Sequence, residues 1–158
     1  IQKYLMPDLD KLHAFLPEGP EECTPILMQG FATQAFAGGY EVTAFSAWLD
    51  EADHEPTYRH HKRVLQALQW KYPGERWLLK SPDHIAAIDA ILNTHKDACI
   101  VHLHRDPVKS VSSWASLNLC YRGVYYCHVD TDELGQQVLT RLANVLERYM
   151  IDLKSQSA

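Results

Sequence analysis

Two short stretches of the sequence decide the fold that it predicts: RWLLKSPDH at residues 76–84 and CIVHLHRDP at residues 99–107. In each, an apolar run of strand length is followed by a Pro that suits the first position of a helix, where a missing N–H costs nothing. Strand, helix, strand and helix over residues 76–119 make a βαβα unit, whose strands run parallel. The sequence therefore predicts an α/β fold with a parallel sheet flanked by helices.

The rest of the chain is predicted to be largely helical and to belong to the same single domain, residues 1–158. Residues 1–24 are rich in Pro and acidic residues and are predicted to be irregular, whereas residues 25–72 are predicted to be helical. The first helix of this stretch is predicted to end before Gly38-Gly39. Apolar spacing predicts individual helices over residues 25–36, 42–49, 56–72 and 133–150.

Composition and charge exclude several classes of protein. The chain has 158 residues with 20 acidic and 15 basic side chains, so its formal net charge of −5 argues against a general nucleic-acid binder. It has no apolar run of about 18 residues, so no membrane-spanning segment is predicted. Its four cysteines form no C-x-x-C pair, which gives no zinc or redox signature and favours a reduced, cytoplasmic environment.

The predicted strands would carry two cations to the edge of the sheet where ligands bind. Lys80 follows the first strand and Arg105 the second, and the guanidinium of Arg105 suits a phosphate group. Ser113 lies about two helical turns further on and can reach the same anion, with Ser110 as a weaker candidate. Two alternatives remain open: Arg105 pairs with Asp106, or Lys80 is an exposed cation before a helix that Ser81 caps.

Nine histidines raise the question of a metal site. His102 and His104 share one face of a predicted strand, but no Cys, Asp or Glu completes a ligand set at a recognisable spacing. His61, on the apolar face of its helix, is expected to be a hydrogen-bonded core residue. No metal is predicted.

From about Glu21 to about Met150, the sequence resembles the broad bacterial-type sulfotransferase family. The strings that carry the resemblance are Tyr58-x-x-His61, LQALQW at residues 65–70, PG-x-RWLLKSP-x-H at residues 73–84 and DA-x-IV-x-x-HRDP at residues 97–107. These strings match the family in their order and spacing as well as in their residues. The resemblance implies a fold like that of the P-loop NTPases and a sulfuryl donor, 3′-phosphoadenosine-5′-phosphosulfate (PAPS).

The resemblance also implies roles for particular residues. Arg105 and Ser113 correspond to the family's Arg and Ser that bind the 3′-phosphate of PAPS. Lys80 corresponds to a lysine that contacts the bridging region of the donor or the acceptor oxygen, and His84 is a candidate base. The acceptor would be a hydroxyl or an amine of a small molecule, glycan or lipid, and no metal is required.

One expected part of the family pattern is missing from the sequence. Sulfotransferases bind the 5′-phosphosulfate in a Gly/Ser/Thr-rich turn after their first strand. Here Gly38-Gly39 follows a predicted helix and not a strand, and no Lys or Arg with Ser or Thr surrounds it. The chain is therefore expected to be an incomplete segment that does not transfer sulfate by itself. A non-catalytic binding module is the alternative, and a P-loop kinase is a weaker one. The acceptor and the oligomeric state stay open.

Overall fold

The computed structural model describes Met6, Leu9 and residues 18–156, and in this part of the chain it is built from helices. Most of them are joined by short connections, and two longer irregular segments, residues 72–81 and 95–106, lie on either side of η1 and α5. The helices are α1 (Thr24–Met28), α2 (Gln34–Gly39), α3 (Thr43–Glu51), α4 (Glu55–Lys71), the 3-10 helix η1 (Pro82–Ala86), α5 (Ile88–Thr94), α6 (Pro107–Tyr125) and α7 (Thr131–Gln156).

The predicted helix over residues 56–72 is confirmed as α4. It has Pro56 in its first turn, where a proline is tolerated, and its buried face carries Tyr58, His61 and Leu65 at steps of three and four. A small core cluster forms where this face meets α1 and the turn before α5. Its members are Cys23, Leu27, Tyr58, Ala87 and Ala90.

The single helix predicted over residues 25–36 is wrong, because the chain forms two short helices there. Phe31 has a φ of 57°, the left-handed conformation that ends α1. Thr33 then starts α2, and its hydroxyl accepts a hydrogen bond from the backbone N–H of Ala35 at 3.2 Å. The apolar spacing across this segment did not reveal the break.

The predicted parallel sheet, and with it the P-loop-like sheet, is wrong for the part of the chain that the structure describes. Neither residues 76–81 nor residues 98–106 form a hydrogen-bonded strand. A strand exists only when a neighbouring strand accepts and donates its backbone hydrogen bonds, and none lies beside these segments within the described ranges. Most of their apolar side chains are therefore exposed, with Leu78 at 99% and Leu103 at 83%, whereas Leu79 is partly buried against the core cluster.

Both predicted helix starts beyond these segments are confirmed, although the first is a 3-10 helix. Ser81 caps η1 by accepting a hydrogen bond from Asp83 N at 3.2 Å, and Asp106 caps α6 by accepting one from Val108 N at 2.9 Å. The long helix α7 packs against α6, α5 and η1 and so joins the parts of the chain that carry these caps. In the described residues, no helix is both long and apolar enough to cross a membrane.

Candidate functional site

Arg105 precedes α6 as an exposed cation that the neighbouring acid does not neutralise. The carboxylate of Asp106 faces the helix, where it accepts the N–H of Val108 at 2.9 Å. Within the described ranges the guanidinium of Arg105 makes no hydrogen bond or ion pair. The alternative in which Arg105 pairs with Asp106 is therefore absent from the structure, and the planar donor fork of Arg105 is open to a ligand.

The serines of α6 differ in what their hydroxyls do. Ser110, Ser112 and Ser116 each donate to a backbone carbonyl one turn earlier, at 3.0, 2.8 and 2.9 Å. The exposed Ser113 makes no such bond in the described part of the chain, so its hydroxyl can serve a ligand. This distinction favours Ser113 over Ser110, whose hydroxyl is committed to the carbonyl of Asp106.

Lys80 lies at the other end of the predicted site, just before η1, and it is engaged. Its ammonium group forms an ion pair with the carboxylate of Glu22, although the lysine side chain is 71% exposed. The backbone carbonyl of Lys80 accepts the N–H of Cys23 at 2.8 Å, which fixes the chain at this point. Glu22 thus holds the lysine that the resemblance places near the transferred group.

His84 is half-buried within η1 and is held by Tyr58. The hydroxyl of Tyr58 lies 2.7 Å from Nδ1 of His84, while Nε2 is buried without a partner in the described residues. Burial, and to a smaller extent the nearby His95, lowers the pKa of His84 to about 4. His84 is therefore neutral at pH 7, as a general base must be, and its free nitrogen faces the interior.

Two further histidines extend this group, and together with His84 they form the histidine cluster: His61, His84 and His95. The ring centroids of His61 and His84 lie 6.2 Å apart, and those of His61 and His95 lie 5.8 Å apart. His61 is buried as expected, but neither of its ring nitrogens has a hydrogen-bond partner among the described residues. Burial, reinforced by His84 and His95, lowers its pKa to about 4.

Asp83 is a buried carboxylate at the centre of a hydrogen-bond network that sequence reasoning missed. It accepts from the backbone N–H of Gln34 at 2.6 Å and from the hydroxyls of Thr33 and Ser81 at 2.9 and 3.2 Å. Burial raises its pKa, and these hydrogen bonds partly offset the rise. The network ties the start of α2 to η1. No local signal marks Asp83, because two of its partners lie about fifty residues earlier in the chain.

The structure keeps the four predicted site residues in two groups. Arg105 and Ser113 belong to the start of α6, whereas Lys80 and His84 flank the start of η1, and no hydrogen bond or ion pair joins the groups within the described ranges. Helices α6 and η1 both pack against α7, which links the two groups indirectly. His102 and His104 pack ring to ring at 4.4 Å, and no cluster of metal-ligating side chains occurs in the described residues.

Comparison with known proteins finds the family that the sequence motifs resemble. The structure matches that of the sulfotransferase STF1 from Mycobacterium tuberculosis H37Rv with a TM-score of 0.75 and 26% sequence identity, over 97% of this chain and 45% of that one. The chain thus spans less than half the length of that protein. No curated protein matches it. The sequence also matches the profile of the Sulfotransferase family over residues 2–157. The chain therefore belongs to the Sulfotransferase family.

Proposed function

We propose that the chain binds the 3′-phosphate of PAPS through Arg105 and Ser113, as part of an enzyme that transfers the sulfuryl group to a hydroxyl or amine. The observation that carries this proposal is that the guanidinium of Arg105 makes no hydrogen bond or ion pair with any described residue, because the carboxylate of Asp106 caps α6. A phosphate group would accept two parallel N–H bonds from the guanidinium and one O–H bond from Ser113.

The chemistry assigns a second role to the groups near η1. In sulfuryl transfer, the acceptor oxygen or nitrogen forms a bond to sulfur, the sulfur–oxygen bond to the donor phosphate breaks, and the acceptor loses its proton. Lys80 would stabilise the charge that builds up on the transferred group and the leaving oxygen. His84, neutral at pH 7, would take the proton. Both roles require Lys80 to leave Glu22 and His84 Nε2 to face the acceptor.

A second candidate is a sulfotransferase-like module that binds the donor without transferring sulfate. The contacts of Lys80 and His84 favour this candidate, because Glu22 forms an ion pair with Lys80 and the Nε2 of His84 is buried. The two candidates share the donor site and differ only in turnover. Incubating the protein with PAPS and a mixture of hydroxyl and amine acceptors, and following release of adenosine 3′,5′-bisphosphate, separates the two candidates. Only the enzyme releases it faster than the same mixture without protein.

Titration calorimetry with adenosine 3′,5′-bisphosphate tests the donor site itself. Arg105→Ala removes a charge-assisted bidentate contact worth on the order of 2 kcal/mol, so affinity should fall about thirtyfold. Ser113→Ala should weaken binding by a smaller factor, on the order of fivefold for one hydrogen bond.

Two control variants separate a specific site from general charge attraction. Arg76→Ala removes an exposed cation elsewhere in the chain, and Ser112→Ala removes a hydroxyl that already donates to the carbonyl of Val108. Both should bind as the unmodified chain does. Equal losses in Arg105→Ala and Arg76→Ala would show that the ligand is attracted by net charge, and the donor site would then be rejected.

A further inference from the structure

A cleft that none of the four predicted site residues lines is enclosed by α2, α3, α6 and α7. Its volume is about 350 Å³, which is enough for one or two sugar-sized rings. Its wall combines amides and hydroxyls with the aromatic rings of Tyr40 and Trp114, and most of its exposed surface is apolar. The polar members that matter below are Gln34, Ser46, Asn118, Arg122, Gln136 and Asn144.

Arg122 is the feature of this cleft that calls for a ligand. The residue is only 7% exposed, and its Nε has no hydrogen-bond partner among the described residues. Its Nη2 donates one long bond of 3.4 Å to the carbonyl of Ala37. No carboxylate forms an ion pair with it in the described part of the chain. A buried guanidinium without an anion is costly, and a bound carboxylate, phosphate or sulfate would remove that cost.

The carboxylates that line the cleft are committed to other groups. Asp50 lies 3.2 Å from Nη1 of Arg141 and also accepts from Asn144 at 3.3 Å. Glu133, at an exposed position, accepts from Gln137 at 3.1 Å. Asp50 offsets the charge of Arg141, and Glu133 keeps its own charge because an amide does not neutralise it. Neither carboxylate forms an ion pair with the buried guanidinium of Arg122, and a bound anion would supply that partner.

The rest of the wall suits hydroxyl groups beside a flat apolar face. Trp114 and Tyr40 contribute aromatic rings, and the amides and hydroxyls both donate and accept hydrogen bonds. Asn118 approaches the backbone closely because Gly38 has no side chain: a Cβ there would lie 2.6 Å from Oδ1 of Asn118.

We infer that this cleft binds an anionic saccharide, a sugar that carries a carboxylate, phosphate or sulfate group, with the anion on Arg122. This inference rests on the proposed function in one respect: the saccharide is assigned as the acceptor. Gln34 supports that assignment, because it lines the cleft and also donates to the carbonyl of Pro82 at 3.3 Å, beside His84. Trp114 directly follows Ser113, so the cleft adjoins the proposed donor site as well.

Titration of the full chain with matched sugars, followed by calorimetry or by NMR of the Trp114 side chain, tests the inference. D-glucuronate and glucose 6-phosphate should each bind at least tenfold more tightly than D-glucose, and the tighter of the two identifies the preferred anion. Binding of all three with equal affinity, or of none, would overturn the inference.

Substitutions at Arg122 and Asn118 test whether the charged sugars bind in this cleft. Arg122→Gln should abolish the tenfold preference for the charged sugars. Because this residue is buried, Asn118→Asp provides a second test: a carboxylate one helical turn before Arg122 neutralises it in place, and the preference should again disappear. Arg63→Gln, which removes an exposed cation from α4, is the control and should keep the preference. Retention of the preference in Asn118→Asp would reject the assignment to this cleft.

A parallel titration distinguishes failure of this inference from failure of the proposed function. Arg105→Ala should lose adenosine 3′,5′-bisphosphate and keep the sugar preference, whereas Arg122→Gln should do the reverse. If the unmodified chain binds the charged sugars but not the bisphosphate, the saccharide site stands and its role as an acceptor site is rejected.

Discussion

The hydroxyl of Tyr58 and the Nδ1 of His84 lie 2.7 Å apart, and this hydrogen bond joins α4 to η1. Burial raises the pKa of Tyr58 well above 10, so its phenol keeps its proton at all ordinary pH values. The tyrosine thereby orients the imidazole that the motif nominates as a base. Tyr58 is a positioning residue, and it comes from the same buried helix face as His61.

Tyr58→Phe should destabilise the chain by about 1 to 2 kcal/mol, because it leaves Nδ1 of the half-buried His84 without a partner. Urea unfolding at pH 7.5 measures the difference. Tyr72→Phe is the matched control: Tyr72 is the C-cap of the same helix, is 67% exposed and should contribute no comparable hydrogen bond. Equal effects of the two substitutions would contradict the role of the Tyr58–His84 bond.

The histidine cluster should make the chain less stable in mild acid. The pKa of His61 is about 4 in the folded chain, while an unfolded histidine takes up a proton near 6.5. The unfolded state therefore binds more protons between these values, and stability falls as the pH drops from 6.5 towards 4. His61 alone accounts for a loss of roughly 3 kcal/mol over this window.

His61→Leu should flatten this part of the pH profile, because a leucine has no charged form to disfavour. Thermal unfolding at pH 7.5 and pH 5.0 measures it, and the variant should lose less stability between the two pH values than the unmodified chain. The groups that face His61 are its cluster partners His84 and His95 and the neighbouring His60, all of which remain. His128→Gln, a substitution at an exposed position, should leave the pH profile of stability unchanged. If it flattened the profile as His61→Leu does, the effect would come from the loss of any histidine charge and not from the burial of His61.

Local signals in the sequence were sufficient for the two helix caps and for the position of the long helix α4, but not for the break between α1 and α2. Ser81 before Pro82 and Asp106 before Pro107 are short-range patterns, and the structure has both caps in place. The period of α4 correctly predicted the burial of Tyr58, His61 and Leu65, but Leu68 and Tyr72, which it places on the same face, are exposed. The candidates Arg105 and Ser113 came from the end of a predicted parallel strand and from the family resemblance. That strand does not form in the described residues, and their role in a donor site stays a prediction.

Features that depend on distant partners were not predictable in this way. The run at residues 76–79 has the composition of a strand, but a strand also needs a neighbour, and composition cannot supply one. Asp83 has no apolar or capping pattern that predicts its burial, because its partners come from the start of α2. The fold prediction failed and the aspartate was missed for the same reason: both depend on contacts that are remote in the chain.

Asp83→Ala should be among the more destabilising single substitutions in the chain, at about 3 kcal/mol. It removes the acceptor of three hydrogen bonds and leaves the N–H of Gln34 and the buried hydroxyl of Thr33 unpaired. Denaturant unfolding measures the loss. Asp97→Ala, at an exposed position, should cost less than about 0.5 kcal/mol. A loss of that small size in Asp83→Ala would show that the network does not hold α2 against η1.

The paired glycines of α2 offer a test of the cleft floor with a control built into the sequence. A Cβ on Gly38 would lie 2.6 Å from Oδ1 of Asn118, while one on Gly39 would meet nothing within 4 Å. Alanine favours a helix over glycine by about 0.5 to 1 kcal/mol, so Gly39→Ala should be neutral or stabilising. Gly38→Ala should instead destabilise by about 1 to 2 kcal/mol, because the buried amide of Asn118 must move.

A double substitution separates this clash from other effects of the new methyl group. In the background of Asn118→Ala the obstructing amide is gone, so Gly38→Ala should there become as harmless as Gly39→Ala. The four unfolding free energies form a double-mutant cycle, and its coupling term should be about 1 kcal/mol or more. A coupling near zero would mean that Asn118 does not pack against Gly38, and the close approach at the floor of the cleft would be rejected.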